Sequence, residues 1–124
     1  MLLTEHPNEA PLFVRKADAT SVRVVDRTLT ASFILSAHEA IENFPARTVD
    51  ELDMAAVERV LTLRPEVVLL GTGTRATFPS QAVLGAFLQR GVGLETMDNA
   101  AAARTFNVLI GEGRKAVAIF LLPG

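Results

Sequence analysis

Residues 66 to 81, EVVLLGTGTRATFPSQ, join an apolar β-branched run to a glycine-hinged polar loop and then to a proline that opens a helix. No other stretch of the 124 residues constrains the fold as tightly. Glu66 to Leu70 is nearly continuous in apolar character, the mark of a strand covered on both faces. The following helix, over about 79 to 90, has Pro79 at a first-turn position, buries Val83, Leu84, Phe87 and Leu88, and stops at Gly91. Gly93 to Met97 reads as a second short strand. Strand, helix and strand in this order form a right-handed parallel crossover.

The pattern continues toward the C-terminus. Asp98 or Asn99 caps a helix that places Ala102, Phe106 and Leu109 on one face before Gly111 and Gly113 release the chain, and Lys115 to Leu122 returns as a buried strand. Upstream, alternation predicts antiparallel strands near 12 to 17, 21 to 25 and 29 to 36, with Asp26-Arg27 turning a hairpin. Phe44-Pro45 ends a further short extended piece. Asp50 or Asp53 caps a helix with Met54, Val57 and Leu61 at helical spacing, which ends before Pro65. The expected fold is therefore α/β, with an N-terminal antiparallel β section and a C-terminal alternating α/β section. Residues 1–10 read as a loose N-terminal segment and 11–124 as a single domain.

The second half resembles a known family. The residues that carry the likeness are Gly71-Thr72-Gly73-Thr74, Pro79, Gly91-Val92-Gly93-Leu94-Glu95-Thr96-Met97-Asp98, Ala102-Ala103-Arg104-Thr105-Phe106-Asn107 and the closing apolar strand. They are similar to the small α/β domain of archaea, bacteria and mitochondria whose mitochondrial member is an assembly factor for respiratory complex I. The resemblance implies a three-layer fold around a central mixed sheet and, for the bacterial members, no established enzymatic activity. Phe106 stands where a tyrosine is frequent in the family, and Phe44-Pro45 where an aromatic-proline pair is usual.

Composition narrows the function. Hydrophobic residues make up 49% and charged residues 21%, as in ordinary globular proteins, and the formal net charge of -2 comes without a Lys/Arg cluster, which argues against a nucleic-acid surface. The absence of cysteine excludes disulfides, thiolate metal sites and thiol catalysis. No apolar run approaches the roughly 20 residues that span a bilayer. The opening MLLTEHPNEAP resembles neither a secretory signal nor a transit peptide, so a cytoplasmic protein is expected.

Two constellations invite chemistry. Gly71, Gly73 and Ala76 give G-x-G-x-x-A after a strand, with Glu95 at the end of the next, but Pro79 delays the helix that a dinucleotide pyrophosphate needs, so no NAD or FAD is expected. A small anion or polar ligand fits better, held by Thr72, Thr74, Arg75 and Thr77 with backbone N–H groups. The plainer and preferred reading of the same residues is a glycine turn. The second constellation is Glu95, Arg104 and Asn107, expected to gather near the Gly71 loop. It reads first as a partly buried ion pair and amide that fix helix to sheet, and second as a catalytic group. His38 with Glu39 and Glu42 reads as a solvated edge rather than a metal site.

The sequence thus points to a non-enzymatic domain that acts by binding. It would be a scaffold or assembly-type module for a protein partner, with ligand-binding candidates Gly71, Thr72, Gly73, Thr74, Arg75, Glu95, Arg104 and Asn107, and without cofactor or metal. The alternative is a small-molecule enzyme or ligand sensor using Arg75, Glu95, Arg104 and Asn107.

Overall fold

The computed structural model describes residues 10–124, so the expected loose segment falls outside the described residues except for Ala10. The elements in chain order are β1 (Val14–Ala17), β2 (Val22–Val24), β3 (Arg27–Leu29), β4 (Ala31–Leu35), β5 (Ala40–Ile41), α1 (Met54–Leu61), β6 (Val67–Gly71), α2 (Gln81–Gln89), β7 (Gly93–Met97), α3 (Asn99–Gly111) and β8 (Ala116–Pro123). A 3-10 turn at Val49–Glu51 precedes α1.

A five-stranded sheet runs in the order β5-β4-β8-β6-β7, and a three-stranded sheet runs β1-β2-β3. The larger sheet is mixed, because β6 pairs in parallel with both β7 and β8 while β4 pairs antiparallel with β8 and β5. Its two faces bury different layers. Phe33, Leu69, Ala118 and Phe120 meet α3 and the small sheet, whereas Ile34, Val68, Leu70 and Ile119 meet α1 and α2. The fold is therefore the three-layer α/β arrangement with a central mixed sheet that the family resemblance implies. All five residues of β6 are buried, as its unbroken apolar run requires. Across the β4 to β8 pair, the Phe33 and Phe120 rings stack at 5.3 Å.

Several expectations change in detail. The run 29 to 36 is two strands, not one: β3 closes the small sheet, Thr30 is exposed, and β4 begins the large sheet with Ser32 to Leu35 all buried. Alternation cannot reveal this step, since the residues on either side of it are equally strand-like. The hairpin turn is Val25-Asp26 rather than Asp26-Arg27, with Val25 at φ 55 and Arg27 already paired to Val24. Asp53, not Asp50, caps α1 by accepting from the Ala56 N–H at 2.9 Å. Ser80 caps α2, which leaves Pro79 just outside the helix. Leu88 is 76% exposed and Met54 45%, because α2 turns Val83 and Phe87, and α1 turns Ala56, Val57, Val60 and Leu61, into the core.

Candidate functional site

The glycine loop is shaped from below by one buried amide. Asp98 caps α3 by accepting from the Ala101 N–H at 2.7 Å, and the next residue, Asn99, turns inward and is fully buried. Its backbone N–H donates to the Gly73 carbonyl at 2.9 Å, and its side-chain Oδ1 accepts from the Gly73 N–H at 3.2 Å. Its Nδ2 donates to the Asp18 carbonyl at 3.0 Å and the Leu121 carbonyl at 3.3 Å. One side chain thereby ties the β1 to β2 turn, the glycine loop and the end of β8 to the start of α3.

The two glycines serve different needs. Gly71 ends β6, and a Cβ there would fall 2.5 Å from the Asn99 Oδ1 and 3.3 Å from Ala102 and Phe120. Gly73 instead takes φ 98, a left-handed conformation that side chains resist. Beyond it, the Thr72 hydroxyl donates to the Arg75 carbonyl at 2.6 Å and accepts from the Thr77 N–H at 2.9 Å, so the loop is closed on itself.

Above Asn99 lies an open cleft of about 570 Å³. Its walls are Ala19 and Thr20 from the β1 to β2 turn, Arg47 to Asp50, Thr72, Gly73, Thr74 and Thr77 from the loop, and Leu121 with Pro123 from β8. The 47 to 50 wall is ordered by Glu51, whose carboxylate accepts from the Arg47 N–H at 2.6 Å and the Thr48 N–H at 3.4 Å. The β1 to β2 wall is held by Asp18, whose carboxylate accepts from the Thr20 and Ser21 N–H groups at 2.9 Å. Those backbone bonds hold the Asp18 carboxyl below the usual range, outweighing the opposing effect of desolvation. Beside its threonine hydroxyls the lining carries one cation, Arg47, and one carboxylate, Asp50.

Not every expected residue reaches this cleft. Thr72, Gly73 and Thr74 line it, Gly71 lies buried beneath it, and Arg75 is exposed on the loop but outside the lining. Glu95 and Arg104 are exposed and are not joined as an ion pair, so the expected buried charge pair does not form. Asn107 is spent on packing: its amide accepts from the Val14 N–H and donates to the Val14 carbonyl, both at 2.8 Å, which zips α3 to β1. Arg104 and Asn107 line a separate groove of about 210 Å³ between α3 and β1. Sharing a helix face was not enough, because that face turns toward the small sheet and away from the glycine loop. Glu42 pairs with Arg27 at 2.6 Å, and His38 lies at another opening with Pro65 and Lys115. Among the described residues no group of three or more His, Asp or Glu stands together as a metal cluster.

Asn99, Thr20 and the 47 to 50 wall were not singled out as site residues. Asn99 carried a signal, since it falls on the stripe of Ala102, Phe106 and Ile110, where a polar residue must find buried partners. The other walls meet the loop only through tertiary contact.

The three layers define a small α/β domain with a glycine-loop cleft at the carboxyl end of its parallel strands. The chain belongs to the family described as Protein of unknown function (DUF498/DUF598), whose model matches residues 14–121. A Xanthomonas campestris protein solved by NMR is 43% identical with a TM-score of 0.86, the match covering 98% of this chain and 92% of that one. A 13 kDa major membrane protein of Francisella tularensis subsp. holarctica (strain LVS) is 23% identical over 122 residues, 98% of this chain and 99% of that protein. Human NADH dehydrogenase (ubiquinone) 1 alpha subcomplex assembly factor 3 is 41% identical over 64 residues, which span 52% of this chain and 35% of the human protein. Among the described residues no helix is long and apolar enough to cross a membrane.

Proposed function

We propose that this domain is non-enzymatic and acts by binding, as a scaffold or assembly-type module for a protein partner, with a small polar or anionic group held in the cleft at the Gly71–Thr77 loop. The observation that supports this reading is the convergence at Asn99, where four hydrogen bonds fix three segments into a cleft that lines up hydroxyls and backbone. Such a site is preorganised for holding. The human relative is named as an assembly factor, which agrees with a role exercised through other proteins. The enzyme or sensor alternative asks Arg75, Glu95, Arg104 and Asn107 to act together, and Asn107 is already committed to Val14. The cytoplasm is the compartment we propose, and cell fractionation checks it.

Thermal unfolding in the presence of phosphate, simple carboxylates and neutral amides tests the cleft. A ligand that binds only the folded state at 100 times its dissociation constant adds about 2.7 kcal/mol. The expected result is stabilisation of the natural chain that disappears in Thr74→Phe, a change at an exposed cleft residue that leaves unfolding without ligand unaltered. Equal stabilisation of both proteins moves the ligand elsewhere, and chemical conversion of the ligand overturns the non-enzymatic reading.

A further inference from the structure

We propose that the outer edge of β7 docks an extended segment of a partner protein that carries a lysine or arginine opposite Glu95. β7 is the last strand of the large sheet and pairs only with β6, in an unbroken parallel register from Gly93 to Met97. The Met97 carbonyl accepts from the Thr72 N–H on the β6 side. Main-chain groups alternate in direction along a strand, so Leu94 and Thr96 turn their N–H and C=O groups away from β6. The Val92 N–H, which shares that outward direction, is taken up by the Phe87 carbonyl at the end of α2; the outward groups of Leu94 and Thr96 have no partner among the described residues. A strand added there would complete four hydrogen bonds.

The two edges of the sheet differ. β5 has two residues, a short edge of the kind that blocks unwanted pairing, whereas β7 has five, with neither proline nor bulge. Its one charged residue is Glu95, which is exposed. Glu95 also selects the occupant. Antiparallel pairing of two copies through Leu94 and Thr96 would set Glu95 opposite itself, and like charges directly opposed across strands repel. A second copy is therefore disfavoured and a cationic side chain is favoured. Leu88, 76% exposed and adjacent to the Phe87 that receives Val92, adds apolar surface near the start of the edge.

The probe is a short acetylated peptide alternating valine and threonine around a central lysine, with a glutamate-centred version as its control, each titrated against the isotopically labelled chain by NMR at low salt. The expected result is slowed exchange and shifted amide signals at Leu94 and Thr96, with the lysine peptide bound about fivefold more tightly than the glutamate peptide. Glu95→Lys should reverse that preference, and Thr96→Pro, which removes an outward N–H that the fold does not use, should abolish binding of both. Thr74→Phe should leave all of this unchanged, which separates the edge from the cleft. Amide changes confined to other elements, or equal affinity for the two peptides in both the natural chain and Glu95→Lys, would overturn the proposal.

Discussion

The side-chain oxygen of Asn99 stands 2.5 Å from the point where a Cβ on Gly71 would lie. The end of β6 and the start of α3 are thus packed so closely that one position must lack a side chain and the other must supply an amide. Gly71→Ala should cost about 1 to 3 kcal/mol through overpacking, since Ala102 and Phe120 close the same space at 3.3 Å. Gly85→Ala is the control: nothing lies within 4 Å of its Cβ position in α2, and it should stabilise by roughly 0.5 to 1 kcal/mol. Denaturant titration of both variants decides; a neutral Gly71→Ala would mean that Asn99 moves aside freely.

Asn99→Ala should be among the most damaging single changes at the cleft. It strands the Gly73 N–H and the carbonyls of Asp18 and Leu121, and the combined loss should be on the order of 3 kcal/mol. A loss below about 1 kcal/mol in urea would show that water replaces the amide and that the three walls do not depend on it.

Phe106→Ala tests the α3 layer. The side chain is fully buried against the sheet, and its removal should cost about 3 to 5 kcal/mol by lost transfer energy and the cavity left behind. Leu88→Ala, at an exposed position on α2, should cost well under 1 kcal/mol in the same assay.

Much of this was legible in the sequence, for identifiable reasons. Buried positions such as Leu69, Phe87, Phe106 and Ile119 follow from periodicity, which reports the side of an element that faces the core. The φ of Gly73 follows from a glycine placed where a strand must turn. Periodicity does not report which neighbour a face meets. Asn107 therefore looked as available as Thr72, until packing set it against β1. Asn99 was hidden for another reason: it and Asp98 are adjacent cap-forming residues that read alike before the helix start is fixed, so its place on the buried stripe went unused.

Acid should weaken the fold through two exposed carboxylates. The Arg114 guanidinium, hydrogen-bonded at 2.9 Å, lowers the Glu66 pKa, and the Thr20 and Ser21 N–H groups lower that of Asp18. Each group is more acidic folded than unfolded. Its contribution is fully present above the ordinary carboxylate value near about 4 and is lost as pH falls through the lower folded value. Glu66→Gln and Asp18→Asn should therefore destabilise the chain at neutral pH, and the gap to the natural protein should close in acid. Urea titrations across this range check the sign, and a gap that widens in acid would contradict it.

The buried hydroxyl of Thr96 has no hydrogen-bond partner among the described residues. Replacing it with the isosteric valine removes that desolvation cost, so Thr96→Val should leave stability unchanged or raise it by about 1 kcal/mol. A clear loss on thermal unfolding would reveal a bound water or partner at the hydroxyl.

The central claim is that the domain acts by binding a protein partner, with the cleft that takes a small polar or anionic group forming part of that contact. Photo-crosslinking in cells tests it most directly, with a benzophenone amino acid placed at Thr74 in the cleft wall or at Asp26, the exposed turn at the other end of the hairpin sheet. The account predicts a discrete protein adduct from position 74 that position 26 does not give. No adduct from position 74, or the same adducts from both positions, would contradict it.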